Sequence, residues 1–472
     1  MKRTSIGIAL LLAGCAVGPD YAAPAVQAPA GWTEAAGTKV AAERAELARW
    51  WASFGDPALD GLVRRALDAN LDLELAGSRV REARAQAGYS RGALLPELGA
   101  SGAAKRQRVS ENGQFPVAGK PEGSYYSAGF DSAWEIDVFG GLRRGVEAAE
   151  AELEAAVEDR RAVLVSLLGE VARSYVDLRG GQRLASVIRK NVASARSTLD
   201  LTKARLQAGL GTELDVARAE TQVATTEALL PPAERDVRVS IHRLSVLLGR
   251  DPGTLAAELE PEAPIPAPPE KLLIGLPSEL LQRRPDLRRA ERKLAAQTAR
   301  IGVATAELYP KFSLTGAFGL ESVDASDFAK SASRAWSMGP TVRWRVFEGG
   351  RLLANIDVED ARAEQALLLY RQSILAALEE VENALVGYLR EWDHRRSLER
   401  AVSAGRKSVA LATSLYQNGL TGFLDVLEAE QGLYDSERRL AESDAAVALK
   451  VVALYKALGG GWETEREVGR AR

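Results

Sequence analysis

The sequence has few of the residues on which most catalytic and metal sites depend. Among its 472 residues there is one cysteine, Cys15, and there are two histidines, His242 and His394. One cysteine excludes an internal disulfide, and neither histidine has the cysteine or second histidine nearby that a metal site needs. There is also no phosphate-binding glycine loop and no Ser/His/Asp order typical of a hydrolase. We therefore expect neither a catalytic residue nor a metal.

A strong net charge and a long internal apolar run are missing as well. The formal net charge of -3 gives no polybasic surface, which argues against nucleic acid as a partner. Aromatic residues make up only 6%, whereas Ala, Leu, Glu and Arg dominate long stretches, as in long packed helices. No internal stretch is apolar enough for a transmembrane helix, so a membrane-spanning part would have to be a β-barrel.

The first fifteen residues indicate export and lipidation. Lys2 and Arg3 precede an apolar run, residues 6–12, that is too short to span a bilayer and typical of a secretory signal. The run ends in Leu-Ala-Gly-Cys, which resembles a bacterial lipobox, so we expect a signal peptide of residues 1–14 and an acylated Cys15. Ala16 follows, rather than the aspartate that often retains lipoproteins in the inner membrane, which favours the outer membrane. The alternative is an ordinary signal peptide with a small buried cysteine.

Two segments, residues 94–139 and 310–348, alternate between apolar and polar residues and are predicted to be β-hairpins. A period of two with one apolar and one polar face is typical of strands between lipid and a watery lumen. Hairpins on the core of a soluble domain alternate too, and this alternative stays open from the pattern alone. The proposed lipid face includes Tyr126, Phe130, Trp134, Phe312, Leu314, Phe318, Trp336, Met338, Val342 and Trp344.

The helical remainder is duplicated. A shift of 210 residues places 207–220 on 417–430 with about eight of fourteen positions identical, so the two halves are homologous units. From about residue 142 to 206 the only strong helix breaker is Gly180-Gly181, which predicts a pair of helices roughly 100 Å long in total. Gly209 and Gly419 suit sharp turns at the helix ends, and Pro231-Pro232 should interrupt the first returning helix.

Four strands cannot close a barrel, and an open sheet edge is intolerable in lipid. Strands from several copies must therefore combine, and three copies would give twelve strands around a water-filled passage. Arg284-Pro285-Asp286 is interpreted as a helix start rather than as a catalytic motif, because proline suits the first helical position and an acid the first turn.

Six motifs follow one another along the chain: residues 15–21 (CAVGPDY), 281–286 (LQRRPD), 309–310 (YP), 347–350 (FEGG), 424–427 (LDVL) with Glu430, and 457–462 (ALGGGW). Together they resemble the TolC-like outer-membrane factor family, in its lipidated OprM/NodT branch. The resemblance implies a mainly α-helical chain with a small β part, in which four transmembrane strands per chain complete a 12-stranded barrel in a homotrimer. It also implies a long α-helical coiled-coil barrel in the periplasm and an irregular equatorial belt.

The resemblance sets a function and a division of the chain. We expect a passive exit duct of a tripartite efflux pump that works with a periplasmic adaptor and an inner-membrane pump, usually of the proton-driven RND class. The alternative is a lipid-anchored coiled-coil scaffold or adaptor without a pore. The predicted parts are an N-terminal lipidated and equatorial segment 15–60, a first efflux repeat 61–249 with its helical hairpin at 141–249, a Pro-rich linker 250–276, a second repeat 277–459 with its helical hairpin at 350–459, and a tail 460–472.

The resemblance also suggests a periplasmic gate. Asp425 and Glu428 stand three residues apart on one helix, so their carboxylates share a face, although spacing alone equally fits a solvated surface. Family members constrict here with acidic residues, and Tyr416 with Asp215 resembles the latch between helices. The basic residue that often joins this latch is missing, because Thr421 occupies its place. The two turns are the predicted adaptor-docking tips, centred on Gly209, Leu210, Gly419 and Leu420.

Overall fold

The computed structural model describes residues 16–26, 28–34, 40–41, 47–110, 121–269 and 272–463. Cys15 lies outside the described residues, so its lipidation stays a prediction. The chain divides into two compact units, which are described separately. The sheet unit contains residues 79–157 and 289–371 with the described part of 1–25, and the helical unit contains residues 158–288 with the described parts of 26–78 and 372–472.

The sheet unit is built on one antiparallel sheet of four strands, β1 to β4, in chain order. The hairpin of β1 and β2 and the hairpin of β3 and β4 lie within the two predicted segments. The pairing of β2 with β3 joins the two repeats. Gly129 and Gly319 face each other there, and a Cβ on either would lie within 3 Å of the opposite backbone, so this close approach requires glycine. The strands are β1 (Glu97–Arg108), β2 (Glu122–Ile136), β3 (Lys311–Ser322) and β4 (Arg334–Arg343).

The two faces of the sheet differ as the alternation predicts. Phe130 lies opposite Phe318, which in turn lies opposite Trp336, and these side chains are exposed by 58%, 59% and 77%. On the other face, Asp131 lies opposite Ala317. A continuous row of exposed aromatic side chains on one face is therefore backed by a face of small and polar residues.

Ten helices are labelled here in chain order. They are α1 (Pro57–Ala69), α2 (Leu71–Gly92), α3 (Gly141–Gln207), α4 (Glu213–Glu227), α5 (Leu230–Leu247), α6 (Ala256–Leu259), α7 (Pro277–Arg283), α8 (Pro285–Ala306), α9 (Arg351–Gln417) and α10 (Phe423–Ala457). None of the helices in the described part of the chain is both long and apolar enough to cross a membrane.

Helices α3 and α9 each contain 67 residues, and both their first and their last residues differ by 210 in number. The prediction that Gly180-Gly181 divides the first of them is wrong, because α3 continues through both glycines. A Cβ on Gly180 would lie 2.7 Å from the Cβ of Ala445, and one on Gly181 would lie 3.0 Å from Val237. Close packing against neighbouring helices uses these glycines, and this packing overrides their low helix propensity.

The returning helices differ between the repeats. The first is interrupted between Glu227 and Leu230, and α5 starts with proline in its first turn, so the predicted interruption at Pro231-Pro232 is confirmed. The second, α10, runs unbroken for 35 residues. Both long helices bury side chains that are spaced seven residues apart, as in a coiled coil. These residues are Leu164, Val171 and Leu178 in α3 and Ile374, Val381 and Tyr388 in α9.

The Arg284-Pro285-Asp286 motif starts α8, as predicted. Arg284 donates hydrogen bonds to the Asp286 carboxylate at 2.8 and 3.0 Å and to the carbonyl of Ala457 at 2.8 Å. The motif therefore ties a helix start to the C-terminal end of α10, which is a structural role.

Candidate functional site

Each long helix ends in the same glycine turn. Gly209 and Gly419 have φ values of +73° and +72°. Leu210 N–H donates to the Arg205 carbonyl at 2.8 Å, and Leu420 N–H donates to the Leu415 carbonyl at 2.9 Å. Together with the bonds from the glycine amides, this is the Schellman arrangement, in which a left-handed residue reverses the chain and satisfies the last carbonyls. Both predicted turns are confirmed, and we call residues 207–212 the first tip and 417–422 the second tip.

Both tips present apolar side chains to their surroundings. Leu210 is 65% exposed and Leu420 is 74% exposed, and each follows its glycine directly. A Cβ on either glycine would meet no heavy atom within 4 Å. The tips therefore offer an open backbone turn beside a projecting leucine, twice in each chain.

The predicted gate carboxylates lie just beyond the second tip. Asp425 and Glu428 are both exposed, and Asp425 occupies the first turn of α10. The Thr421 hydroxyl donates to the carboxylate of Asp425, the predicted gate aspartate. An acid at the positive end of a helix is also favoured electrostatically.

Tyr416 and Asp215 do not contact each other within the chain in the way that the resemblance suggests. The Asp215 carboxylate accepts from Thr212, from N–H at 3.1 Å and from the hydroxyl at 2.8 Å, and so completes a capping box at the start of α4. Tyr416 is buried against Phe423, with ring centroids 5.7 Å apart, and its hydroxyl has no hydrogen-bond partner among the described residues. Contacts within one chain do not support the Tyr416–Asp215 latch, which stays a prediction.

Sequence reasoning missed Arg205, which lies in the last turn of α3. Its guanidinium lies over the Tyr416 ring, 4.5 Å from the centroid, and donates to the Gln417 carbonyl at 3.0 Å. A second, longer bond of 3.4 Å reaches the Leu210 carbonyl. A basic residue near a helix C-terminus is a signal that could have drawn attention to it. One side chain thus connects the two tips.

A buried carboxyl lies further along α10. Glu430 is 2% exposed and accepts a hydrogen bond from the Thr198 hydroxyl at 2.5 Å. Burial raises the pKa of the Glu430 carboxyl, and the hydrogen bond from Thr198 only partly opposes that shift. Its counterpart in the first repeat, Glu220, is exposed and lies 3.0 Å from the Lys203 ammonium.

The segment that follows Cys15 is fixed within the sheet unit. Val17 N–H donates to the Phe139 carbonyl at 3.0 Å, directly after the second strand of the first hairpin. The buried Arg144 donates to the Val17 carbonyl at 3.2 Å and forms a 2.6 Å ion pair with Asp20. Val17, two residues after the predicted lipid site, is thereby placed at the base of the sheet.

One tryptophan lies at the base of the hairpin in each repeat. The Trp134 indole N–H donates to the Leu94 carbonyl, and the Trp344 indole N–H donates to the Leu308 carbonyl, each at 3.0 Å. Trp344 lies one residue beyond β4, so it belongs to the base of the second hairpin rather than to the middle of the sheet. Indoles at the foot of both hairpins suit a membrane interface.

The sheet with one apolar face, the duplicated hairpins and the glycine tips define an outer-membrane channel of the TolC-like fold. The family model described as outer membrane efflux protein matches residues 62–250 and 276–460, and the chain belongs to that family. The solved outer-membrane channel OprN superposes with a TM-score of 0.91 at 37% identity, covering 95% of this chain and 100% of that one.

Curated relatives agree over the whole length. Nodulation protein T of Rhizobium leguminosarum bv. trifolii is 33% identical over 473 residues, 99% of both chains. The pyoverdine export outer membrane protein OpmQ of Pseudomonas aeruginosa is 34% identical over 488 residues, 100% of this chain and 99% of that protein. The protein is thus an outer-membrane component of an efflux system and no enzyme, and the scaffold alternative is set aside.

Proposed function

We propose that three copies of this chain form one passive exit duct, which a periplasmic adaptor opens at the tips. The duct would receive its cargo from an inner-membrane pump, with a proton-driven pump of the RND class as the first candidate. Relatives are named for nodulation and for pyoverdine export, and this variety fits a conduit that leaves the choice of cargo to its partners.

The observation that carries this proposal is the sheet. Within the described part of the chain, β1 and β4 each pair on one side only. An unpaired strand edge in hydrocarbon leaves backbone groups without hydrogen bonds, so further strands must cover both edges. Neighbouring copies supply these strands, and three copies give twelve, which leaves room for water.

Lipid on Cys15 would add an anchor at the base of the barrel. Support comes from the contacts of Val17 with Phe139 and Arg144, which hold Val17 close to the end of β2. An acyl chain there can enter the bilayer beside the strands, and the barrel itself provides the firmer attachment. The proposed modification consists of an N-acyl group and an S-diacylglycerol group.

We propose that the periplasmic gate consists of Asp425 and Glu428. Threefold symmetry turns each exposed carboxylate into a ring of three, and such a ring attracts cations. Tyr416 and Asp215 stabilise the tips beside this ring, one by packing and one by capping. The adaptor docks on Gly209, Leu210, Gly419 and Leu420 and shifts the population towards the open form, because it binds that form more tightly.

The barrel is tested by a pair of neighbouring substitutions on opposite faces. Phe130→Arg places a charge on the lipid face and should destabilise the assembled trimer by about 2–4 kcal/mol, whereas Asp131→Ala on the other face should have little effect. The measurement is the fraction of detergent-resistant trimer after outer-membrane extraction. Equal assembly of both variants would mean that the faces, or the barrel, are assigned wrongly.

The gate is tested by conductance in planar bilayers. Asp425→Asn with Glu428→Gln should lower the preference for cations over anions, because both rings lose their charge. The control, Glu213→Gln with Glu220→Gln, removes the same charge from the first returning helix. Unchanged selectivity in the first double variant would place these carboxylates outside the conduction path.

A further inference from the structure

Arg205 makes the polar contacts of the junction between the two tips, beside a hydrophobic cluster in which Ala219 of the first hairpin packs with Tyr416 and Phe423. Arg205 comes from α3, whereas the Gln417 carbonyl and the Tyr416 ring that it contacts belong to α9. The Gln417 carbonyl is the last of its helix, so it has no partner further along α9. Arg205 therefore supplies to the second hairpin a donor that this hairpin lacks.

This contact has no counterpart in the opposite direction. The position equivalent to Arg205 after the shift of 210 is Leu415, which cannot donate a hydrogen bond from its side chain. Lys203, two residues earlier on α3, lies against Glu220 of the first returning helix instead. The first hairpin holds the second one, and the reverse contact does not exist at this position.

The junction is also incompletely satisfied. The Nε atom of Arg205 and the hydroxyl of Tyr416 are both buried, and neither has a hydrogen-bond partner among the described residues. Buried polar atoms without partners destabilise the state that contains them. The junction thus combines one charge-assisted bond, a cation–π contact and apolar packing with two unmade hydrogen bonds, and the unmade bonds lower the free energy that a docking partner must supply to open it.

We propose that Arg205 is the latch that holds the two tips together in the resting channel. This inference rests on the proposed function, since it assigns the opening to the tips. A movement that separates the hairpins at their tips must break the bond to Gln417 and the contact with Tyr416. Arg205 is a positioning residue, because it acts through the second tip. Asp425 and Glu428 lie shortly after that tip in the chain.

Two measurements on full-length trimers test the latch. Arg205→Leu introduces the residue that occupies the equivalent position 415 of the second repeat. It should raise amide hydrogen exchange at residues 415–422 by about tenfold. In planar bilayers the same variant should raise the open probability by a similar factor. Arg205→Lys keeps the charge but loses the planar two-sided donor, so it should lie between Arg205→Leu and the parent.

Matched controls separate the latch from charge and from the Tyr416 hydroxyl. Lys203→Leu removes the same charge from the same turn and should leave both measurements near the parent. Tyr416→Phe keeps the ring that Arg205 covers and removes a buried hydroxyl that has no partner among the described residues, so its open probability should be no higher than that of the parent. A Tyr416→Phe variant as open as Arg205→Leu would transfer the latch to the hydroxyl and overturn the role of Arg205.

The remaining outcomes are also decisive. Unchanged exchange at residues 415–422 in Arg205→Leu overturns the latch, whatever the conductance shows. Faster exchange with an unchanged open probability also overturns it and leaves Arg205 as a helix cap. Failure of the proposed gate would be recognised separately, by unchanged ion selectivity in the Asp425→Asn, Glu428→Gln double variant.

Discussion

The two hairpin tips share a backbone turn but differ in the side chains that secure it. At the first tip, Thr212 and Asp215 form a capping box at the start of the returning helix. At the second tip, Gly422 is the N-cap and provides no side chain, and the Thr421 hydroxyl contacts Asp425 from one residue earlier. Arg205 adds a contact from the first tip to the second.

The difference indicates which hairpin is built to move. A turn that carries its own cap is held by local contacts, whereas a turn without one depends on its neighbour. The second tip relies on Arg205 for a contact to its last carbonyl, and the acidic pair Asp425 and Glu428 follows it directly. Movement of the second tip relative to a fixed first tip would therefore shift the carboxylates with the smallest loss of local structure.

The largest expected effect comes from closing the open turns. Gly209→Trp and Gly419→Trp each place a bulky side chain on a residue with positive φ, which costs about 1–2 kcal/mol in backbone strain and covers the docking leucine. Each should abolish export of a fluorescent pump substrate from cells while trimers persist. Gly55→Trp is the control, since Gly55 has a φ of +64° and open space around it but lies outside the tips. Normal export in both tip variants would exclude docking there.

A second comparison concerns the equivalent glutamates. The pKa of the Glu430 carboxyl is raised by burial, so the folded protein binds this proton more tightly than the unfolded chain does. Its share of stability is therefore present at low pH and is lost as pH rises from about 4.5 through the raised pKa. Glu430→Gln should remove that decline and stabilise the helical unit at pH 8 by about 1–3 kcal/mol.

Thermal unfolding between pH 4.5 and 8 is the measurement for this prediction. Glu220→Gln is the matched control, because this exposed counterpart is paired with Lys203 and should show no such gain. A steeper pH dependence in Glu430→Gln than in the parent would contradict the assignment.

The caps should give a smaller difference. Thr212→Ala removes the side-chain oxygen that accepts from Asp215 N–H and should destabilise the first tip by about 1 kcal/mol. Thr421→Ala removes only an exposed contact to Asp425, for which about 0.5 kcal/mol is expected. Local hydrogen exchange at each tip is the readout, and a larger effect of Thr421→Ala would reverse our ranking of the two tips.

The smallest effect is expected at the interruption of the first returning helix. Pro231→Ala with Pro232→Ala should allow α4 and α5 to merge as α10 does, which circular dichroism would detect as a gain in helix. Proline in a first turn is well tolerated, so stability should change by about 0.5 kcal/mol only. Unchanged helicity would show that packing, rather than proline, fixes the break.

Much of this architecture could be predicted from the residues. Alternation identified the strands, glycine identified the turns, and self-similarity identified a repeat whose long helices do have equal lengths. These features are local, because each depends on a backbone preference or a period of a few residues. Gly180-Gly181 shows the limit, since a pair of weak helix formers is retained inside a helix by packing against Ala445 and Val237.

The contacts at the tips could not be predicted in the same way. Glu220 and Glu430 occupy equivalent positions in segments that share eight of fourteen residues, yet one is exposed and the other is buried against Thr198. Which side of a helix meets its neighbour depends on the rotation of both helices, and a single sequence does not report it. The same reason explains why Arg205 was missed.

The equal length of α3 and α9 constrains how such a channel can change during evolution. An insertion of one heptad in α3 alone would displace the first tip by about 10 Å along its helix. Arg205 would then lose Gln417, and the two glycine turns would no longer present their leucines side by side. Insertions and deletions in these helices should therefore be inherited in matched pairs, so that the length of the duct changes in both repeats or in neither.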